Sequence, residues 1–256
     1  METRRPLVAG NWKMHLLGAE AAAYCRRLLA AELPPLPEIV LLPSYPLLAA
    51  VAEALGGSPV GLGAQNLHPE PRGAHTGEVS AAQLVDAGCR WVLCGHSERR
   101  REQAEDDELV ARKARAALAG GLAPVVCVGE TLEERRAGRT FDVLARQAET
   151  LPLDPRLVVA YEPVWAIGSG ETATVEVAEH AHAFLRTRFE RRGGGELAAA
   201  LRIVYGGSVT PENAAALAAG RGVDGFLVGG ASLDPERFRA IISSFAAPRA
   251  APRGLP

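Results

Sequence analysis

Three short segments carry side chains suited to moving a proton on a small anionic molecule. The stretch 160–170, AYEPVWAIGSG, begins as an apolar strand and delivers Glu162 at its exit. Pro163 stiffens the backbone there, and the segment ends in Gly168-Ser169-Gly170. A carboxylate fixed at a strand end, beside a loop able to close, is the arrangement of a general base under a lid. A lone glutamate opening a loop is usually just a surface acid, so the weight comes from two companions. GNWKMH, residues 10–15, supplies Asn11 and Lys13, and LCGHSERR, residues 93–100, supplies His96 and Glu98. In both, reactive side chains follow directly on an apolar run. His96 stands where a helix is expected to begin, and a helix N-terminus favours a neutral ring that donates to a substrate oxygen and shuttles protons. The plain alternative for His96 is a packed, hydrogen-bonded histidine.

Glycine-bearing loops suggest an anion site. Gly168, Ser208, Gly229 and Gly230 could each present a backbone N–H to a phosphate, since glycine allows close approach and a helix start adds a favourable dipole. The basic residues are uneven, with two lysines, Lys13 and Lys113, against 26 arginines. An ammonium on a flexible stem is not equivalent to a guanidinium fork. Lysine at the strand exit of residue 13 therefore points to a role that arginine cannot fill. Lys113 lies in a charge-rich helical stretch and reads as incidental. His15, His68, His75, His180 and His182 receive no role, and no metal site is expected, because His180 and His182 do not share a helix face.

These groups need a scaffold that gathers them. Short apolar runs recur at Leu7–Gly10, Ile39–Leu42, Val60–Gly63, Trp91–Cys94, Pro124–Val128, Leu157–Tyr161, Ile203–Tyr205 and Phe226–Val228. They are continuous and not alternating, as for strands buried on both faces. Helical spacing fills the gaps: Leu47, Val51 and Leu55 share a face, as do Val110, Ala114, Ala117 and Leu118, and then Val177, Ala181, Phe184 and Leu185. Ser80 with Gln83, and Thr131 with Glu134, have capping-box spacing. Thr210-Pro211 and Asp234-Pro235 place a cap before a first-turn proline. Gly56, Gly88, Gly120 and Gly220 follow helices where left-handed turns are expected. Gly193-Gly194-Gly195 reads as a loop before the seventh strand. Eight strand–helix units predict an α/β fold, a single (β/α)8 barrel over residues 1–256 with a frayed tail after about residue 246. In such a barrel the strand exits share one face, and phosphate sites lie after strands 7 and 8.

Composition narrows the classes. A net charge of −2 and scattered arginine pairs give no nucleic-acid stripe. No segment approaches the ~20 apolar residues of a membrane span, and the start METRRPLVAG lacks a signal-peptide apolar run. A cytoplasmic protein without nucleic-acid or membrane partners is expected. Cys25, Cys89, Cys94 and Cys127 form no CxxC pair and read as buried free thiols.

The chain resembles the triosephosphate isomerase family along nearly its whole length. GNWKMH, GAQN (63–66), TGEVS (76–80), GHSERR (95–100), CVGE (127–130), AYEPVWAIGSG, YGGSV (205–209) and GFLVGGASL (225–233) occur in the family's order and spacing. The resemblance implies interconversion of dihydroxyacetone phosphate and glyceraldehyde 3-phosphate, with no cofactor. It implies Glu162 as base, neutral His96 as electrophile, Lys13 as electrostatic stabiliser, Asn11 as a substrate-positioning group and Glu98 in support. Gly168 would bond the phosphate as loop 163–173 closes. The family is itself the standard illustration of such pKa tuning and lid closure, so those points come by resemblance. It also implies a homodimer in which loop 66–80 enters the partner, with Thr76 reaching the Asn11 and Glu98 region there. Departures from the pattern are His75 for an aromatic, Ser169 and Glu171 for Thr and Lys, and Glu102-Gln103-Ala104 for an aromatic–Gly segment. Two rivals stand beside this reading: a Schiff-base aldolase using Lys13 as nucleophile, and a non-catalytic sugar-phosphate binder.

Overall fold

The computed structural model describes residues 4–167 and 173–246. Eight strands alternate with helices. They are β1 (Leu7–Asn11), β2 (Glu38–Leu42), β3 (Val60–Ala64), β4 (Trp91–Cys94), β5 (Ala123–Val128), β6 (Val158–Tyr161), β7 (Arg202–Tyr205) and β8 (Gly225–Val228). All pair in parallel with their sequence neighbours, and β1 closes on β8, giving the expected (β/α)8 barrel. β4 matches its apolar run, and the other seven differ from theirs by one residue at one end, because a strand continues as long as its ladder does and not as long as its side chains are apolar.

Every strand is buried on both faces, which is why alternation is invisible in the sequence. Leu7, Ala9, Val40, Leu42, Leu93, Val125, Cys127, Val158, Ala160 and Val204 pack inside the barrel. Val8, Ile39, Leu41, Val92, Val126 and Val159 face the helices instead. At the closing seam Gly225 has φ +144°, and a Cβ there would fall 1.9 Å from the Leu7 carbonyl oxygen, so only glycine lets β8 meet β1.

The helices are α1 (Gly18–Leu29), α2 (Leu48–Leu55), α3 (Ala81–Asp86), α4 (Ser97–Glu102), α5 (Asp107–Ala119), α6 (Leu132–Arg136), α7 (Thr140–Thr150), α8 (Val175–Ala200), α9 (Pro211–Ala219) and α10 (Pro235–Ile242). The capping boxes at Ser80–Gln83 and Thr131–Glu134 are formed, and Asp234 caps α10 through the Arg237 N–H. Of the four helix-end glycines, only Gly88 is left-handed (φ +89°). After Gly56, Gly120 and Gly220 that conformation falls one or two residues later, on Gly57, Gly121 and Gly222. Each of those three ends its helix with negative φ and leaves the reversal to the next glycine. The run Gly193–Gly195 is not an open loop: the span α8 is two helical stretches joined at Gly194 (φ 84°, ψ 167°), so the expected connection is a one-residue break.

Lys113 is not incidental. It is buried in α5, and its Nζ donates to Glu105 Oε1 (2.6 Å) and to Asn66 Oδ1 (2.7 Å). Arg99 Nε donates to the same Glu105 oxygen at 2.5 Å. This network ties α4, α5 and the exit of β3 together behind the barrel rim. Beside it Ala104 adopts φ +51°, in the segment where the resembled pattern carries glycine. A left-handed alanine costs of order 1–2 kcal/mol. All four cysteines are buried and unbridged.

Candidate active site

The strand exits converge on one cavity of about 380 Å³. Asn11, Lys13, His96, Glu162, Ser208, Gly229 and Gly230 all line it. Residues from five strand exits, separated by up to about two hundred positions in sequence, therefore share one space. Gly168 lies outside the described residues. Thr76 does not reach this cavity; it sits on an exposed loop.

Each side chain is held by its own local logic. β1 ends at Asn11, whose Oδ1 accepts from the Lys13 N–H (3.0 Å). That turn forces Lys13 into φ +51°. Gln65 Nε2 donates to the Lys13 carbonyl and to the Leu42 carbonyl, both at 2.8 Å, and so braces the strained residue against β2. Strain held by surrounding bonds at a reactive position is a recurring mark of a functional site. Lys13 Nζ reaches Glu98 Oε1 at 2.6 Å. Burial raises the Glu98 carboxyl, but the Lys13 hydrogen bond and charge outweigh it and hold the group below its ordinary value.

His96 caps α4, and its Nδ1 accepts from the Glu98 N–H at 3.3 Å. With Nδ1 used as an acceptor, the ring's N–H is at Nε2, which faces the cavity. Arg100 fixes this turn: its Nε donates to the Gly95 carbonyl (2.9 Å), its Nη2 to the Cys127 carbonyl (3.2 Å) and its Nη1 to Asp107 (2.7 Å). Glu162 leaves β6 almost fully buried. Its Oε2 accepts from the Ser97 N–H at 3.0 Å. Its Oε1 lies 3.1 Å from His96 Nε2 and has no hydrogen-bond partner of ordinary geometry among the described residues. A buried carboxylate oxygen without a donor, against an imidazole, is a base with an open lone pair. Cys127 sits behind it, and its thiol is pushed well up, first by burial and then by the Glu162 charge.

Two positioning groups went unassigned in the sequence. Gln65 stands in GAQN, and nothing in its spacing marks it as a brace. Glu130 closes CVGE at a strand exit, which is the same signal that singled out Glu162. It is fully buried, accepts from Trp165 Nε1 (2.9 Å) and from the Tyr161 hydroxyl (3.2 Å), and lies 3.5 Å from Arg135. Arg135 also stacks over the Trp165 ring at 4.3 Å. This cluster anchors the stem of the loop that follows Glu162. His182 is structural, buried with Nδ1 3.0 Å from the Gly222 carbonyl. Among the described residues no group of three or more metal-binding side chains forms.

A family model described as triosephosphate isomerase matches residues 6–245. The chain belongs to the triosephosphate isomerase family. Proteins named triosephosphate isomerase are close to it over nearly their full lengths. One from Symbiobacterium thermophilum is 52% identical over 254 residues, covering 96% of this chain and 99% of the relative. One from Syntrophotalea carbinolica is 50% identical over 246 residues, covering 93% and 98%. One from Chloroflexus aurantiacus is 50% identical over 247 residues, covering 93% and 98%. The chain is an aldose–ketose isomerase that interconverts triose phosphates. No helix among the described residues is long and apolar enough to cross a membrane.

Proposed function

We propose that Glu162 is the base of this isomerase, His96 its electrophile and Lys13 its stabilising cation. Glu162 takes a proton from the carbon beside the carbonyl of dihydroxyacetone phosphate, leaving an enediolate, and returns it to the neighbouring carbon to give glyceraldehyde 3-phosphate. The His96 Nε2–H donates to the substrate oxygens and exchanges the proton between them. Lys13 supplies positive charge to the developing oxyanion in a partly dry site. Asn11 positions the substrate and holds Lys13; Glu98 orients Lys13. Ser208, Gly229 and Gly230, with Gly168 from the closing loop, cradle the phosphate, and closure excludes water. No cofactor takes part. The observation that carries the reading is the buried, donor-free Glu162 oxygen within 3.1 Å of His96 Nε2 in the cavity that Lys13 shares.

A coupled isomerase assay tests it. Glu162→Ala lowers kcat by at least ~10²–10⁴-fold in a folded protein; wild-type turnover in that variant would remove Glu162 from the reaction. The Schiff-base rival gains nothing from the geometry, since Lys13 Nζ is engaged by Glu98 at 2.6 Å, the arrangement of a cation and not of a free amine.

The reading extends to assembly. A second cavity of about 290 Å³ adjoins the first and shares Asn11, Lys13 and His96 with it; Met14, Tyr45, Gln65, Glu98 and Arg99 are among the rest of its wall. Met14 on its wall is 93% exposed, and Leu17, three residues on in the chain, is 73% exposed. Apolar side chains bared beside a catalytic cavity suit a protein partner. Loop 66–80 of a second copy is the proposed occupant, with Thr76 near Asn11 and Glu98. In this loop His68 and His75 stack at 3.9 Å, so His75 fills the aromatic's place. The chain then works as a homodimer of one-domain barrels in the cytoplasm.

A further inference from the structure

Besides the groups assigned to the reaction, the cavity wall carries a cation with no hydrogen-bonded or ion-paired partner among the described residues. Arg237, in the first turn of α10, lines the cavity with Ser208, Gly229 and Gly230. Its backbone N–H is taken by the Asp234 side chain (2.8 Å). Its guanidinium makes no hydrogen bond and no ion pair among the described residues. The neighbouring charge on α10 behaves differently: Glu236 is held by Arg27 (2.6 Å) and Arg239 (3.9 Å). The acid facing Arg237 from α9 is Glu212. Its carboxyl is held low first by the Thr210 hydroxyl and only weakly by the Arg237 charge.

Formal charge makes this position consequential. The other cation, Lys13, is tied to Glu98, and Glu162 adds a buried carboxylate. Lys13, Glu98 and Glu162 sum to one negative charge, and Arg237 is the cavity-lining cation that offsets it, with Glu212 facing it from α9. The substrate's phosphate monoester carries close to two negative charges at neutral pH. A site of net negative charge would repel what it must bind.

We propose that Arg237 is a steering and specificity residue, a free guanidinium at the phosphate end of the cavity that draws the dianionic substrate in without touching the reacting carbons. The proposal rests on the assignment of this cavity as the isomerase site. A unit charge and a dianion ~8 Å apart in water attract enough for a three- to sixfold gain in capture at low salt. By 0.5 M ionic strength screening removes nearly all of it.

The experiment measures kcat and KM for glyceraldehyde 3-phosphate and for unphosphorylated glyceraldehyde, at 10 mM and 0.5 M ionic strength. It compares wild type with Arg237→Gln, Arg237→Glu and Arg237→Lys. Arg237→Gln lowers kcat/KM for the phosphorylated substrate about three- to sixfold at 10 mM, more than it lowers kcat. Charge reversal roughly squares that factor, Arg237→Lys restores most of it, and all variants converge at 0.5 M. Identical salt profiles for wild type and Arg237→Gln would overturn the proposal while leaving the isomerase site intact. A loss that persists at 0.5 M, or that is equal for both substrates, would overturn it too, by showing a packing role. A wild-type chain without isomerase activity would instead strike the site assignment itself.

Discussion

Gly206 offers a direct test of how tightly Glu162 must be held. It follows β7 and passes beside the Glu162 side chain. A methyl group added there lands 2.9 Å from Glu162 Cγ, 3.3 Å from the Tyr161 carbonyl oxygen and 3.7 Å from Glu162 Oε1. Ordinary contacts of this kind begin near 3.4 Å, so the Glu162 stem must retreat by about half an ångström. It cannot retreat freely, because the carboxylate is already set against the Ser97 N–H (3.0 Å) and His96 (3.1 Å). Misplacing a reacting group by 1 Å costs on the order of 10²-fold, so half that displacement costs roughly tenfold. Gly206→Ala therefore lowers kcat about tenfold in the coupled isomerase assay, with an overpacking cost of about 1–3 kcal/mol in urea unfolding. Gly18→Ala, with nothing within 4 Å of the added methyl, controls for the substitution type and keeps wild-type turnover. A folded Gly206→Ala variant with kcat within twofold of wild type would refute the geometric account of the base.

Two further outcomes concern ion pairs. Lys113→Met leaves the buried Glu105 with Arg99 alone, and loss of one partner of a buried pair costs about 3–5 kcal/mol, reduced here by the remaining arginine to about 2–4. Urea unfolding of Lys113→Met and of the double variant with Glu105→Leu measures it; a loss below ~1 kcal/mol in the single variant would show that the pair is not structural. Glu98 governs an acid limb. Its folded value lies below the ordinary 4.5, so the Lys13 pairing stabilises fully above that value and is lost as pH falls through the lower folded one. Glu98→Gln accordingly flattens stability against pH in that window, and an acid limb superimposable on wild type would exclude the pair as its source.

How much of this could be read from the residues follows from what each depends on. The barrel was legible because continuous apolar runs between capped helices have few other solutions, and the caps at Ser80, Thr131 and Asp234 are local chemistry. The candidate set stood out because Lys13, His96 and Glu162 each stand just past a strand, and the fold brings all three to one cavity. What stayed hidden depends on contact across the fold. Gln65 braces Lys13 from 52 positions away. Lys113 reads as a solvated helix residue until Asn66 and Glu105 are seen around it. Arg237 lies on a helix whose sequence gives no sign that its first turn borders the cavity. The helix-end glycines misled by one or two positions because doublets such as Gly56-Gly57 and Gly120-Gly121 let either residue take the left-handed turn.

The scarcity of lysine leaves this chain with an unusual chemical surface. Its 26 arginines do not react with acylating reagents or simple monoaldehydes under mild conditions as primary amines do, and of its two lysines Lys113 is buried while the Lys13 side chain is 25% accessible. In most proteins amine-directed damage is diluted over many harmless surface lysines. Here, apart from the chain's own amino terminus, the accessible amine target is the Lys13 ammonium in the candidate cavity, so under the proposed assignment each adduct formed by a simple monoaldehyde falls on turnover and not on solubility.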